Sequence, residues 1–291
     1  MEFLSSLQSS ISPAHTSLRP IPSYAPRSSP PYIIMTHELT PWIITAVIGA
    51  GFLAGFINTL AGSGSAITLP LLVFLGLPAN VANGTNRIGV LLQTGVSMES
   101  FYRQGYLDWR EALTLLLPTI VGGVIGAQVA VNLNERAMRL AIAGMLILTF
   151  FLIILKPKRW LVGREEGARQ PNWKDWILFF FIGVYGGFIQ AGVGIFLLVG
   201  LVMAIGHNLI RANAIKALLV LAFNVFAFFV FLYNGQVSWL LGVILAVGNI
   251  VGAWAAVKFA TKEWAQIWVY RLLLVVVVVS AARMLYMALA G

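Results

Sequence analysis

The sequence contains no cysteine, which excludes disulfide bonds, thiolate metal sites and cysteine nucleophiles. Histidine occurs three times, at His15, His37 and His207, and these positions lack the spacing of metal ligands. Charge is scarce as well: 10% of the residues are charged and 59% are hydrophobic, whereas soluble domains average about 25% charged residues. A water-exposed globule has no means of covering so much apolar surface. The composition therefore predicts an all-α, multi-pass membrane protein.

Carboxylates are absent from long parts of the chain, and this limits the chemistry. Proton-coupled carriers often use a buried Asp or Glu as a relay, and the long apolar segments offer none. The sequence also has no phosphate-binding loop, paired catalytic carboxylates or Ser/His/Asp set. We therefore expect neither an enzyme nor a cofactor. The segments without Asp, Glu, Lys or Arg lie between Thr40 and Asn86, Ala112 and Asn134, Trp176 and Gly206, and Ala217 and Val257.

The net charge of +9 is not evidence for nucleic-acid binding. The basic residues lie mostly in predicted loops, where they orient a protein in the membrane. The expected contacts are therefore membrane lipid and a small anionic substrate. Assembly into a homo-oligomer stays open.

The chain repeats itself at an offset of about 130 residues. Each copy carries a hydrophobic unit that is interrupted by a Gly-rich segment, a layout found in many secondary transporters. The matching segments are GFLAGFI at 51–57 and GVYGGFI at 183–189, AGSG at 61–64 and AGVG at 191–194, and GYLDW at 105–109 and GQVSW at 235–239.

Ten apolar stretches follow residue 40, five in each copy. The second stretch of each copy is too short to span a bilayer as a helix, which takes about 20 residues. We expect the first two stretches of each copy to form a Gly-broken hairpin, followed by three spanning helices. The predicted stretches are 41–60, 65–77, 84–102, 110–132 and 137–156, then 175–190, 195–206, 212–233, 237–259 and 265–289.

The predicted domain organisation has four parts. Residues 1–34 form a Ser/Pro-rich leader that we expect to be disordered, and we hypothesise that translation starts at Met35. Residues 35–156 form the first transmembrane repeat, residues 157–174 a basic linker, and residues 175–291 the second repeat.

The Lys/Arg excess of the linker predicts that it lies in the cytoplasm. We expect the protein to lie in the plasma (inner) membrane. Five segments per copy is an odd number, so the two copies would have opposite orientations. If each hairpin crosses the membrane only once, the copies would instead be parallel. We favour the inverted arrangement.

The Gly-rich interruptions are the first candidate binding elements. Broken backbone survives in lipid only where protein or a watery cavity covers it, and a helix that starts at the break directs free N–H groups at the cavity. Tight helix packing is the alternative for such small residues. The second break has Val193 and Ile195 where the first has hydroxyls, so it relies on its backbone and Gln190. The candidate residues are Asn58, Gly62, Ser63, Gly64 and Ser65 in the first copy, and Gln190, Gly192 and Gly194 in the second.

The third stretch of each copy supplies further candidates. Asn83 and Asn213 are expected near helix starts, where Asn is a favoured cap. Arg87 and Lys216 either gather anions at the two entrances or anchor the helices at the membrane interface. Asn224 lies deeper, where it faces a cavity or bonds another helix. Asn86 lies on the same helix face as Asn83, and Lys216 is the residue equivalent to Asn86 in the second copy. Asn224 lies on the same helix face as Asn213 and Lys216.

The duplicated pattern resembles the TauE/SafE sulfite exporter family. The residues that carry this resemblance are Gly51-Phe52-Leu53-Ala54-Gly55, Ala61-Gly62-Ser63-Gly64 and Pro70, repeated in the second half, and it covers about residues 40–290. The resemblance implies transport of small sulfur-containing anions, such as sulfite, thiosulfate or organosulfonates, usually outward.

The sequence thus favours a secondary transporter with a midplane site between the two copies. A carrier of another anion or of a neutral sulfur species is the alternative in the same class. A membrane scaffold without transport is the alternative in another class, although a scaffold gains nothing from holding Asn58 and Gln190 in lipid.

Overall fold

The computed structural model describes residues 40–107, 109–154 and 168–259, together with positions 275, 278–283 and 286. These residues belong to one compact unit, Ile34–Gly291. The described part is helical and contains no strand, which confirms the all-α prediction for it. The predicted leader, the proposed start at Met35, most of the linker and most of the stretch 265–289 lie outside the described residues.

The helices follow the predicted apolar stretches closely. The one departure in kind is the short helix of the second half, which begins earlier than expected and whose last six residues, Gly200–Ile205, form a π-helix. The helices are α1 Pro41–Ala61, α2 Ser65–Phe74, α3 Ala79–Arg103, α4 Trp109–Val131, α5 Glu135–Ile154, α6 Trp173–Phe188, α7 Val193–Val199, α8 Leu209–Tyr233 and α9 Trp239–Phe259.

Length and composition make four of the described helical segments fit to cross a membrane: α1, Ala112–Val131 of α4, α8 and α9. The α2 helix and the segment Val193–Ile205 are apolar but shorter, as the sequence predicts. Large apolar side chains lie exposed along the outer faces of the bundle, and on α4 they recur every four residues, at Leu113, Leu117, Val121, Ile125 and Val129. Such stripes on an apolar helix are suited to contact with lipid tails. The molecule is an integral membrane protein.

Each Gly-rich interruption contains a left-handed glycine, although the two first helices end differently: α6 ends at Phe188 with an extended Ile189, and Gly192 precedes α7. The α1 helix ends at Gly62, whose left-handed backbone lets its N–H bond the oxygen of Asn58. Glycine at the equivalent position 192 has nearly the same φ, 78° against 76°. Among the described residues, positive φ occurs at six glycines, in three pairs that are 130 positions apart: Gly62 and Gly192, Gly76 and Gly206, and Gly105 and Gly235.

Two pairs of helices pack in parallel through glycine. The α1 helix lies along α9, where Gly51 faces Leu245 and Gly55 faces Asn249. In the same way α6 lies along α4, where Gly183 faces Thr119. Small residues allow this close approach. The resulting van der Waals contacts stabilise the helix pairs, because the hydrophobic effect does not drive helices together within lipid.

The α3 and α8 helices run antiparallel to each other inside the bundle. The start of α3 lies beside the end of α8, since a side chain at Gly84 would contact Phe231. Further along, Arg87 bonds Asn224, and Ser97 shares a pocket with Asn213 near the start of α8. The α3 helix also packs on α9, and α8 packs on α4. These two central helices therefore face each other along much of their lengths.

Candidate functional site

The α3 helix brings an unusual number of polar side chains into the interior. Other helices surround it, so these groups are shielded from lipid, where each unsatisfied polar group would cost several kcal/mol. The buried polar residues of α3 are Asn83, Thr85, Asn86, Arg87, Gln93, Thr94 and Ser97.

The two Gly-rich breaks meet at Gly62 and Gly194. A Cβ atom on either glycine would overlap the backbone of the other, so both positions require glycine. Of the other predicted glycines, Gly64 packs against Ala54 of its own half and Gly192 against Thr149 of α5. The structure thus brings one glycine from each break together and uses the other two for packing nearby.

Lys216 on α8 reaches the end of α1. Its Nζ donates hydrogen bonds to the main-chain oxygens of Asn58 and Thr59, both at 3.0 Å, and to Oδ1 of Asn213 at 2.6 Å. The two carbonyls belong to the last turn of α1, which is the negative end of the helix dipole. Lys216 therefore joins the first break to the second half of the chain.

A closed pocket surrounds this ammonium group. Thr59 and Ser97 are joined across it by a hydrogen bond of 2.9 Å between their hydroxyls. Its cavity volume is about 10 Å³, enough for about one water molecule, so a larger ligand requires the helices to move apart. The lining residues are Asn58, Thr59, Gln93, Thr94, Ser97, Phe101, Gly194, Asn213, Lys216, Ala217 and Val220.

A neutral cluster forms around Asn86, at the position equivalent to Lys216. Asn86 Nδ2 donates to Ser65 Oγ at 3.0 Å and to Gln190 Oε1 at 3.1 Å, and Thr68 Oγ1 donates to Asn86 Oδ1 at 2.5 Å. The cluster joins α2 and α3 to the second break. Gln190 Nε2 in this cluster and Ser63 Oγ in the first break are buried without a hydrogen-bond partner.

Arg87 lies between α3, α6 and α8. Its Nη1 donates to Asn224 Oδ1 at 2.9 Å and its Nη2 to the oxygen of Gly187 in the last turn of α6. The guanidinium carbon lies 4.6 Å from the centre of the Phe231 ring, and Nε has no hydrogen-bond partner. Asn224 returns a bond of 3.3 Å from Nδ2 to the oxygen of Arg87. Of the two alternatives for Asn224, the structure has the bond between helices.

Two predictions, each about a pair of residues, were wrong. Arg87 and Lys216 do not lie at entrances, because they are 0% and 4% exposed, held inside by the carbonyls at the ends of α6 and α1. Asn83 and Asn213 are not helix caps, since the caps of α3 and α8 are Pro78 and Asn208. Both helices simply start earlier than the apolar pattern indicates.

Asn83 and Asn213 instead use their side chains within the bundle. Asn83 Nδ2 donates to the oxygen of Phe188 at 2.8 Å, at the end of α6, and Asn213 accepts from Lys216. Asn83 therefore binds the end of α6, and Asn213 binds the lysine that contacts the end of α1.

Neither buried cation takes part in an ion pair within the described residues. The pairs found there are Arg103 with Glu99, Arg139 with Glu135, and Arg169 with Asp175. A buried charge without an opposite charge costs several kcal/mol, so the interior favours the entry of an anion. The described residues also hold no cluster of His, Asp and Glu that suits a metal ion.

Most of the chain matches a known protein family. Residues 47–284 match the family model of the sulfite exporter TauE/SafE proteins. The chain belongs to the sulfite exporter TauE/SafE family. The resemblance carried by the glycine pattern is thereby confirmed.

Relatives of this TauE/SafE chain carry the names of membrane transporters. A probable membrane transporter protein of Sinorhizobium, ORF9, is 31% identical over 249 residues, which cover 86% of this chain and 95% of the relative. Escherichia coli YfcA, also a probable membrane transporter protein, is 26% identical over 251 residues, with 85% and 91% covered. A Haemophilus influenzae relative of the same description is 25% identical, with 72% and 82% covered. The chain is accordingly a membrane transporter.

Sequence reasoning missed several residues of the Lys216 pocket and of the cluster around Asn86. Thr59 and Thr68 are single hydroxyls in apolar helices, and their contacts depend on which helices meet. Gln93 and Ser97 could be predicted from the sequence, because they follow Asn86 at intervals of seven and eleven residues and so share its helix face. A polar stripe on one face of α3 is the signal that indicates them.

Proposed function

We propose that the protein is a secondary transporter of small sulfur-containing anions in the plasma (inner) membrane. The observation that carries this proposal is the burial of Lys216 and Arg87 without a carboxylate partner in the described residues. A substrate anion provides the missing negative charge. The family's description supports sulfite or a related sulfur oxyanion as that anion.

The transporter consists of two inverted copies, and three observations support this. The positive-φ glycines pair at an offset of 130 residues. In two equivalent copies, α1 to α4 correspond to α6 to α9. The contact between α1 and α9 then corresponds to the contact between α6 and α4, and the contact between α3 and α9 to the one between α8 and α4. All four pairs are in contact. Finally, the equivalent helices α3 and α8 run antiparallel, as a two-fold axis in the membrane plane requires.

The substrate site lies between the copies at the Lys216 pocket. Asn58 and Thr59 come from the first copy, while Asn213 and Lys216 come from the second. Because the pocket is closed, the anion enters when one copy tilts against the other, first on one side of the membrane and then on the other. The neutral donors Ser63, in the first break, and Gln190, in the second, are buried without partners and complete the polar interior.

The substrate class is tested by thermal stabilisation of the detergent-purified protein. Sulfite, thiosulfate, sulfate, taurine, sulfoacetate and chloride are compared, since a ligand at 100 times its dissociation constant adds about 2.7 kcal/mol. We expect stabilisation by a sulfur oxyanion and its loss in Lys216→Met. Arg211→Met is the matched control, because Arg211 lies on the same helix but is exposed. Stabilisation by chloride alone, or by none of the panel, would contradict the proposal.

Transport and its direction are tested in proteoliposomes. Release of radiolabelled sulfite from loaded vesicles is measured for protein inserted in each orientation. The two orientations are distinguished by an impermeant reagent that inhibits the protein from one side of the membrane only. We expect saturable release that Lys216→Met abolishes and Arg211→Met retains. Faster movement from the cytoplasmic side would agree with export. Stabilisation by sulfite without any flux would instead favour a scaffold or a receptor.

A further inference from the structure

The Lys216 pocket contains an acceptor that nothing in the described part of the protein satisfies. Gln93 lines this pocket and is 1% exposed, and its Oε1 is buried without a hydrogen-bond partner. A buried acceptor left unpaired costs about 1–3 kcal/mol. A ligand that donates a hydrogen bond to this oxygen would recover that free energy.

The hydroxyl groups of the pocket add acceptors rather than donors. Thr94 Oγ1 donates to the oxygen of Val90 at 2.6 Å, and Ser97 Oγ donates to the oxygen of Gln93 at 2.9 Å. With the Ser97 proton used in this way, the 2.9 Å contact with Thr59 uses the Thr59 proton. A hydroxyl has one proton to donate, so all three present only their lone pairs to a ligand.

The pocket lining has one charged and titratable group, Lys216. The other lining residues from α1, α3, α7 and α8 are neutral within the described part of the chain, and Arg87 is not among them. One ammonium group balances one negative charge. The hydroxyls and Gln93 Oε1 present acceptors to a ligand, while the side-chain amides of Asn58, Gln93 and Asn213 also carry N–H donors.

We infer that the pocket selects a monovalent anion that carries its own hydrogen-bond donor, with the charge at Lys216 and the donor at Gln93. This inference rests on the proposed function and specifies its substrate. For sulfite, the species is hydrogensulfite with its proton on oxygen, rather than the dianion. The proton then crosses the membrane on the substrate, so transport needs no carboxylate relay in the protein. Sulfate, a dianion without a donor, fits neither requirement.

A pair of nearly isosteric ligands tests the donor requirement directly. Sulfamate carries an amino group on its sulfonate sulfur, and methanesulfonate carries a methyl group there. The two anions have the same charge and a similar shape, but only sulfamate donates a hydrogen bond. Binding of each to the purified protein is measured by calorimetry or by thermal shift. We expect sulfamate to bind about ten-fold more tightly, the effect of one hydrogen bond to an otherwise unpaired group. Equal binding, or tighter binding of methanesulfonate, overturns the inference.

A variant pair assigns the preference to Gln93. In Gln93→Leu the preference for sulfamate should disappear. In Gln128→Leu it should remain, because Gln128 is an exposed glutamine of α4 that lies outside this pocket. A preference that survives in Gln93→Leu would overturn the assignment. If Gln93→Leu does not fold, the comparison of the two ligands on the unaltered protein still decides.

The pH dependence of sulfite binding tests the protonation state. Hydrogensulfite loses its proton near neutral pH, whereas sulfamate and methanesulfonate remain monovalent. We expect the affinity for sulfite, relative to that for sulfamate, to fall with the hydrogensulfite fraction as the pH rises, because a change in the charge of Lys216 acts on both anions alike. An affinity ratio that stays constant with pH would assign the proton to the protein and overturn the inference.

The same measurements separate this inference from the proposed function. A sulfite flux that increases with the fraction of sulfite dianion, or transport of sulfate as fast as that of sulfite, would overturn the inference. Either result would leave the proposal of sulfur-anion transport intact. Absence of binding and flux for every sulfur anion would overturn both.

Discussion

Gly62 and Gly194 touch backbone to backbone where the two interrupted segments meet. One belongs to the end of α1 and the other to the first turn of α7, and they are 132 positions apart in the sequence. No side chain fits between them. This contact holds the two breaks together directly beside the Lys216 pocket, which Gly194 also lines.

Replacement of Gly194 by Ala should destabilise the protein through this contact alone. Gly194 does not have a positive φ, so Ala adds no backbone strain and the new methyl group has to displace the Gly62 backbone. Overpacking of this kind costs about 1–3 kcal/mol. Thermal unfolding in detergent measures the effect. Gly144→Ala is the control, since a Cβ at this helical glycine meets open space, and it should be neutral or slightly stabilising. Equal stability of the two variants would exclude the predicted clash.

Replacement of Asn58 by Ala should weaken substrate binding without weakening the fold. Lys216 bonds the main-chain oxygen of Asn58, so the variant keeps this link and removes only an amide from the pocket lining. Loss of one hydrogen bond to a charged ligand corresponds to about 1.5–3 kcal/mol, roughly ten-fold or more in affinity. Sulfite binding and the unfolding temperature are measured on the same samples. Asn132→Ala, at an exposed position, should change neither. A large fall in the unfolding temperature of Asn58→Ala would indicate a structural role instead.

Replacement of Asn224 by Ala should destabilise the centre of the bundle. The variant removes the acceptor of Arg87 Nη1 and leaves a buried guanidinium with one partner fewer. Loss of a partner from a buried charge costs about 3–5 kcal/mol. The comparison is Asn234→Ala, which removes the exposed cap residue at the end of the same helix and should cost about 1 kcal/mol or less. Thermal unfolding distinguishes the two, and similar losses would show that the Arg87 bond contributes little.

Single cysteines should report the proposed inversion of the two copies. The chain has no cysteine of its own, so each introduced thiol is the sole target of a membrane-impermeant reagent. Gln104→Cys lies after α3 and Asn234→Cys after α8, both at exposed positions. Because α3 and α8 are antiparallel, the reagent should label Gln104→Cys from the cytoplasm and Asn234→Cys from the opposite side. Labelling of both from one side would exclude inversion.

Much of the fold was predictable because lipid imposes simple rules. Charge-free runs locate the helices, and the predicted stretches match α1 to α9 within a few residues at most ends. The starts of α3 and α8 were placed too late, because Asn80, Asn83 and Asn86 interrupt the apolar pattern of α3 and Arg211 and Asn213 that of α8. Their burial against other helices permits these polar residues inside the helices, and the pattern of one helix contains no information on its neighbours.

The sequence predicted part of the candidate site's membership but not its connections. The sequence indicates Arg87, Lys216 and both Gly-rich breaks, yet it assigns the two cations to entrances. Their actual partners lie 100 residues or more away, at Gly187 for Arg87 and at Asn58 and Thr59 for Lys216. Bonds across that distance depend on which helix ends meet.

The sequence by itself determined that this is a helical membrane protein, which family it belongs to, and where its helices are interrupted, because hydropathy and glycine spacing act locally along the chain. The tertiary structure alone decided that Gly62 meets Gly194, that Lys216 holds the end of α1, and that Gln93 faces the same pocket. These relationships arise from the antiparallel packing of α3 and α8, which brings polar residues far apart in the sequence into one interior closed to lipid.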